Sequence, residues 1–589
     1  MLKNIILIFV GLLAIASVAE AACDCGSINA ANPCTGQSIS ITVTAGTPNG
    51  GTAVNSIYNW SFNSGGEDAK CGQFANGDYW IAPASGQGNI TLTGLASNGD
   101  VSADVNPKLE SMGLFGGTKI YGNYNAAENI IPNLPQTYSG ITSILAGIKR
   151  NEISEGNCGT SAIIGSCADS YNVLTVLSSV PALAGSETLR PNITGETKEL
   201  LNFDDFDFTR LPAKDFLTGT NTAGFEIIRQ RWSHNTEIFG IKDVSGTGYS
   251  EGGRAFRAHI LVDDYGAGTT ASWNNSMMNL FSDDNTLDEK KPALAAMLSY
   301  GLDLYHSMND APPGVIRYWG QGATQSPGKF LPAVFMASLR TDATEANLLK
   351  TVGPNVNSVK DDRGPHELGQ IHQGKTTPVW GDFTNYAGSY YLGAYWGSLL
   401  KSQCYDGATG ICNTGIGKKT QLDPHGYIDG PPNRPGSNYM GSSLGVQKSF
   451  MAAMCLMPKI REIVNYENLV IYVNRIVDFG LVTANDPCTT PDSRENLTTC
   501  DPYRNTGCLY YGTTWGPINP EDVDSDCIKN PNPPYTKVGR FTALEGNHIG
   551  IAYGSGQVES NWTAIKALCG STSSIDATPP GAPTGLEVI

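Results

Sequence analysis

The sequence predicts a multidomain α+β protein, a small N-terminal β-sandwich followed by a large all-α domain of the (α/α)-toroid type. Three observations predict it. Period-two alternation with Asn-Gly turns fills the first third of the chain, helical spacing of apolar residues begins after about Leu200, and no strand-helix-strand series is present to build a doubly wound sheet. With 589 residues the chain has room for three or four domains at roughly 100–200 residues each.

The expected order begins with a secretory signal over residues 1–21. Lys3 supplies its positive start, Ile5 to Ala16 its apolar stretch, and Ala19-Glu20-Ala21 its small-residue cleavage site. A β-rich domain is expected over 22–195, where Ile39, Ile41 and Val43 alternate with polar residues, as do Ile90 and Leu92. Asn49-Gly50, Asn76-Gly77 and Asn98-Gly99 provide positive-φ residues for hairpin turns, and Val173 to Leu177 reads as a further strand. A helical domain is expected over 196–570. Its clearest segment starts at Pro292, where Leu294, Met297, Leu298, Gly301, Tyr305 and Met308 form one stripe. Further helices are predicted from Phe330 to Leu349, Tyr386 to Leu400, Leu444 to Val464 and Asn468 to Phe479, with Pro458 dividing or kinking its segment.

Composition narrows the function. The chain carries 38 basic against 55 acidic residues, net −17, which argues against neutralising nucleic-acid phosphates or anionic lipid. No run after the signal approaches the 18 or so apolar residues of a membrane span, so an extracytoplasmic protein is expected: secreted, periplasmic or at the cell surface. Fourteen cysteines fit that compartment, and Cys158/Cys167, Cys404/Cys412 and Cys500/Cys508 are spaced as local disulfides. Pairing among Cys23, Cys25, Cys34 and Cys71 is not fixed by their spacing.

Three motifs suggest chemistry but lack its context. Gly248-Tyr249-Ser250-Glu251-Gly252 has the nucleophile-elbow pattern without the buried strand that should precede it. His366 and His372 lie six apart, whereas two zinc ligands on one helical face need a spacing of four. Asp522, Asp524 and Asp526 alternate as in a calcium loop, but Cys527 and Pro533 replace its glycine and glutamate; a solvated acidic loop and a non-EF site for structural calcium both remain open.

The most informative stretch holds five of the seven histidines: His234, His259, His306, His366 and His372. Arg231-Trp232-Ser233-His234-Asn235, Tyr305-His306, Arg317-Tyr318-Trp319, Asp382 and Tyr386 surround them. A small β-domain, a helical region with a His/Asn pair and a later helical Tyr together resemble secreted (α/α)-toroid polysaccharide-active enzymes such as alginate lyases and heparinase-like lyases. The resemblance implies β-elimination on an acidic glycan. His234, Asn235, Tyr305, His306, His366 and Arg317 would be the catalytic set, and Arg231, Trp232, Trp319, His372, Asp382 and Tyr386 would bind the polysaccharide. In those lyases a suppressed carboxylate charge makes the C5 proton removable. Here His234 precedes Asn235, the reverse of the usual order.

A glycoside hydrolase is the near alternative, with acids available at Asp303, Glu367, Asp382, Asp423, Asp429, Glu462 and Glu467. It also removes the conflict between a chain of net charge −17 and a polyanionic substrate. A non-catalytic extracellular glycan-binding or adhesion protein is the third reading. Aromatic residues suited to sugar stacking crowd Tyr386, Tyr390, Tyr391, Tyr395 and Trp396, and Phe74, Tyr79 and Trp80 flank the Asn76-Gly77 turn. Over 571–589, Pro580, Pro583, Leu586 and Val588 resemble a linker and the opening strand of a fibronectin type III domain.

Overall fold

The computed structural model describes residues 25, 32–34, 39–45, 56–65, 68–86, 88–108, 113–114, 125–149, 168–183, 185–233, 266–309, 325–357, 411–412, 417–418, 438–467, 469–470, 473–474, 484–485, 514–515 and 555–570. Among the described residues ten strands occupy the N-terminal region: β1 (Asn32–Cys34), β2 (Ile39–Ala45), β3 (Ser56–Asn63), β4 (Ala69–Gln73), β5 (Tyr79–Pro83), β6 (Ile90–Ser97), β7 (Val101–Val105), β8 (Gln136–Tyr138), β9 (Thr142–Lys149) and β10 (Ala168–Val176). They form a four-stranded antiparallel sheet, β2-β3-β6-β8, and a six-stranded sheet, β1-β4-β5-β10-β9-β7, in which only the β5/β10 pair is parallel.

The alternation in the sequence sets the contact between these sheets. Ile39, Ile41 and Val43 of β2 and Tyr58, Trp60 and Phe62 of β3 share a core with Cys71, Ile81, Ile144, Ile148, Leu174 and Val176 of the other sheet. Two polar groups in this layer bond across it: Tyr58 Oη donates to the Ser170 carbonyl at 2.8 Å, and Trp60 Nε1 donates to Asn172 Oδ1 at 3.0 Å. A disulfide joins Cys25 to Cys71 within the same core. The Asn76-Gly77 turn closes the β4/β5 hairpin, with Gly77 at φ +93°. Asn98-Gly99 instead carries the chain from the four-stranded sheet into the six-stranded one, and neither residue adopts the positive φ expected of a tight hairpin turn.

The helices are α1 (Thr222–Ser233), α2 (Gly266–Phe281), α3 (Leu287–Asn309), α4 (Gln325–Leu339), α5 (Thr344–Asn357), α6 (Asn438–Leu456), α7 (Pro458–Val464), α8 (Gly556–Ser560) and α9 (Trp562–Leu568). α3 begins before the proline read as its start because Thr286 and Glu289 form a reciprocal cap: the Thr286 N–H donates to Glu289 Oε2 at 2.8 Å, and the Glu289 N–H reaches Thr286 Oγ1 at 3.4 Å. The segment expected from Phe330 to Leu349 is two helices separated after Leu339, and Pro458 separates α6 from α7 as the first residue of the latter. The helix predicted from Tyr386 to Leu400 lies outside the described residues, as does most of that from Asn468 to Phe479.

The expectation of a β-sandwich followed by a large all-α (α/α)-toroid is corrected by these contacts. In the six-stranded sheet, even positions of β9 and β10 (Ile144, Ala146, Leu174, Val176) face the other sheet, while Leu145, Tyr171 and Val173 enter the core of the helices. The sheet is therefore buried on both faces, giving a sheet-sheet-helix arrangement with a shared core. α3 is buried around its circumference as well: Ala293, Ala295, Ala296, Tyr300, Leu302 and Leu304, off the predicted stripe, are as buried as those on it. A toroid exposes one side of each helix to a central axis or to solvent; α3, packed against α1 and α4, is an interior element.

The C-terminal helices fold back onto α6. Cys455 and Cys569 form a disulfide, Lys448 Nζ meets Glu559 Oε2 at 2.6 Å, and the same ammonium lies 4.7 Å from the centre of the Trp562 ring. No helix among the described residues is long and apolar enough to cross a membrane.

Candidate functional site

Among the described residues, a concentration of buried charge lies where the β4/β5 hairpin meets α3. Arg190 is 1% exposed, and Asp78 and Asp303 are buried with it. Its Nε donates to Asp78 Oδ2 at 2.7 Å, Nη1 to Asp303 Oδ1 at 3.1 Å and to the Pro191 carbonyl at 2.7 Å, and Nη2 to Asp303 Oδ2 at 2.6 Å. Asp303 Oδ1 also accepts the Ile193 N–H at 2.9 Å. The Asn76 side chain donates to Asp78 Oδ2 at 2.8 Å, and Arg229 of α1 donates to the Asn76 carbonyl at 2.7 Å. Burial opposes the guanidinium's charge, but Asp303 and Asp78 outweigh it and hold Arg190 above the ordinary arginine value. One guanidinium thus bonds carboxylates from both elements, so the cluster fastens sheet to helix.

Of the residues expected to bind or transform a glycan, four are described. Tyr305 and His306, on α3, are 6% and 5% exposed and meet edge to face with ring centres 5.3 Å apart. Trp232 is buried at the end of α1, where its Nε1 donates to Ser276 Oγ at 3.0 Å and its ring packs against Trp273 and Tyr300. Arg231, its neighbour, is partly exposed. His234, Asn235, Arg317, Trp319, His366, His372, Asp382, Tyr386, Asp522, Asp524 and Asp526 lie outside the described residues, as do Ser250 and its glycines.

Each described acid of the hydrolase reading has a cation beside it: Arg190 for Asp303, Lys459 at 2.8 Å for Glu462, and Arg461 at 2.5 Å for Glu467. Phe74 and Trp80, flanking the Asn76-Gly77 turn, are buried with Ala82 and Leu177. Among the described residues no group of three or more His, Cys, Asp or Glu side chains is arranged to hold a metal ion.

The opposite side of the sandwich is different in kind. The outward positions of the four-stranded sheet are Ser40, Thr42 and Thr44 on β2, Ile57, Asn59, Ser61 and Asn63 on β3, Thr91, Thr93 and Ala96 on β6, and Thr137 on β8. None is charged, and most carry a hydroxyl or an amide. Neighbouring side chains are tied in pairs, Thr42 Oγ1 to Asn59 Oδ1 and Thr91 Oγ1 to Thr137 Oγ1, both at 2.8 Å. Strand alternation produces this surface as the complement of the apolar face. Its signal in the sequence is the Ser-x-Thr-x-Thr of 40–44 between Ile39, Ile41 and Val43, the polar half of the alternation that marks the strand.

Asp104 of β7 is buried, and burial pushes it up from 3.8 to about 7, even though the Gly113 and Val105 N–H groups donate to it at 2.8 and 2.6 Å. Glu128 raises it further and Lys108 lowers it.

No protein-family model, curated protein or solved structure matches this chain.

Proposed function

We propose that this chain is an extracytoplasmic glycan-binding protein whose four-stranded sheet presents its outer face to a neutral polysaccharide. The observation supporting this reading is that face: hydroxyl and amide side chains on a continuous sheet, without charge, in a chain of net charge −17. Neutral glycans offer hydroxyl donors and acceptors that such groups match, and an uncharged face admits them without desolvating ions. Polyanionic glycans would meet the repulsion of the whole chain. The six-stranded sheet and helices behind it act as a rigid support, fastened through Arg190.

The test is depletion binding to insoluble and immobilised neutral polysaccharides, with Ser61→Glu and Thr137→Glu as face variants. Both positions are exposed, so folding should be retained while affinity falls at least tenfold. Equal binding by the variants, or no binding by the parent chain to any neutral glycan, refutes the proposal. New reducing ends, or ultraviolet absorbance from an unsaturated uronate, would replace it with a hydrolase or a lyase.

A further inference from the structure

Two sheets that are not closed into barrels have four edges, and three of these are blunted. β1 is three residues long with Pro33 at its centre. β8 is also three residues long and follows Pro135. β7 is covered along its outer side, since Ala103 accepts the Ile130 N–H at 2.9 Å and donates its own N–H to Asn129 Oδ1 at 3.2 Å, and it carries the inward carboxyl of Asp104. These are the devices by which sheets avoid joining other chains.

β2 carries none of them. It runs seven residues, Ile39–Ala45, without Pro, Gly, Lys or any charge, and among the described residues it pairs only with β3. Among the described residues none hydrogen-bonds to its other side. Every second residue of an antiparallel edge strand points both its N–H and its C=O away from its partner, so β2 presents a row of backbone donors and acceptors.

We infer that β2 is the docking edge for a second copy of this chain, pairing antiparallel with its counterpart to give one continuous eight-stranded sheet. The strand is complementary to itself. With Thr42 opposite Thr42 of the second copy, Ile41 falls opposite Val43, Ser40 opposite Thr44, and Ile39 opposite Ala45. Apolar inner positions then meet apolar ones and outer hydroxyls meet hydroxyls, so the core and the polar face both continue across the twofold axis. Two copies of a chain carrying −17 repel overall, and this strand, uncharged along its length, adds no repulsion of its own where they would meet. A contact confined to strand edges buries less than the roughly 800 Å² per partner of a standard interface, so the dimer is weak and depends on concentration.

Light scattering after size exclusion and sedimentation velocity, from about 1 to about 200 μM, read the outcome directly. The parent chain should shift from monomer toward dimer mass across that range. Thr42→Glu sets two carboxylates opposite each other on an exposed position and should stay monomeric with an unchanged thermal midpoint. Thr42→Cys should yield a disulfide-linked dimer on mild oxidation that neither the parent chain nor Ser61→Cys gives. A parent chain monomeric throughout, or a Thr42→Glu variant that dimerises equally, overturns the inference. A monomer that instead captures an extended peptide along β2 also overturns it, assigning the edge to another chain. Glycan binding by Ser61 and Thr137 is read separately, so either proposal can fail alone.

Discussion

Replacing Arg190 with methionine tests the shared core most severely. The guanidinium donates four hydrogen bonds of 2.6 to 3.1 Å, three of them to carboxylates, from a side chain that is 1% exposed. Methionine fills much of the same volume but leaves Asp78 and Asp303 facing each other with no cation between them. Breaking a buried pair by removing one partner costs about 3–5 kcal/mol; here one cation serves two carboxylates, which places Arg190→Met at the upper end, about 5 kcal/mol. Urea denaturation followed by circular dichroism and linear extrapolation measures this loss. The triple variant Arg190→Met, Asp78→Asn, Asp303→Asn leaves no uncompensated charge and should regain more than half of it. The location predicts a second effect: Asp78 belongs to the β4/β5 hairpin and Asp303 to α3, so strand and helix signals that unfold together in the parent should separate in Arg190→Met. A loss below about 1 kcal/mol, or a triple variant no better than the single one, would refute the view that this pair joins the layers.

Two further outcomes follow from the geometry. Asp104 holds its proton to about pH 7 when folded against an ordinary 3.8, so its contribution to stability is full below about 3.8 and lost as pH rises through about 7, with a ceiling of about 4 kcal/mol at 1.36 kcal/mol per pH unit. Denaturation at several pH values should therefore show the parent gaining on Asp104→Asn as pH falls from 8 to 5, and a constant difference would count against the burial of that carboxyl. Trp232→Ala removes a ring packed on Trp273 and Tyr300 and should lower stability by about 3–5 kcal/mol in the same assay; a midpoint within a degree of the parent would return Trp232 to the ligand-binding residues.

The strands were legible because their signal is local. Ile39, Ile41 and Val43 are apolar at alternate positions and face a single neighbouring sheet, so spacing alone marks the inward side. β9 shows where that signal fades: Ile144, Leu145 and Ala146 are consecutive and all buried, because the strand has a sheet on one face and helices on the other. Such a run names a buried element without naming its neighbours, and the toroid expectation failed at that point. α3 misled in the same way. Its stripe was read as one buried face, yet Ala295, Tyr300 and Leu302 are buried too, and the helix lies in the interior.

The buried ion cluster did leave a trace. Asp303 is the only charged residue from Ala293 to Met308, and Arg190 is the only Lys or Arg between Arg150 and Lys198. A lone charge within an apolar stretch is seldom buried without a partner, so Asp303 announces a missing counterpart, whereas Arg190, with Glu187 and Glu196 close by in sequence, does not. Which counterpart it was depends on a contact spanning 113 positions, information that no spacing rule carries. The sequence offers Asp303 as one of several candidate acids in or near the helical region. Arg190, closing on it with two hydrogen bonds in the interior, makes it a fastening between sheet and helix.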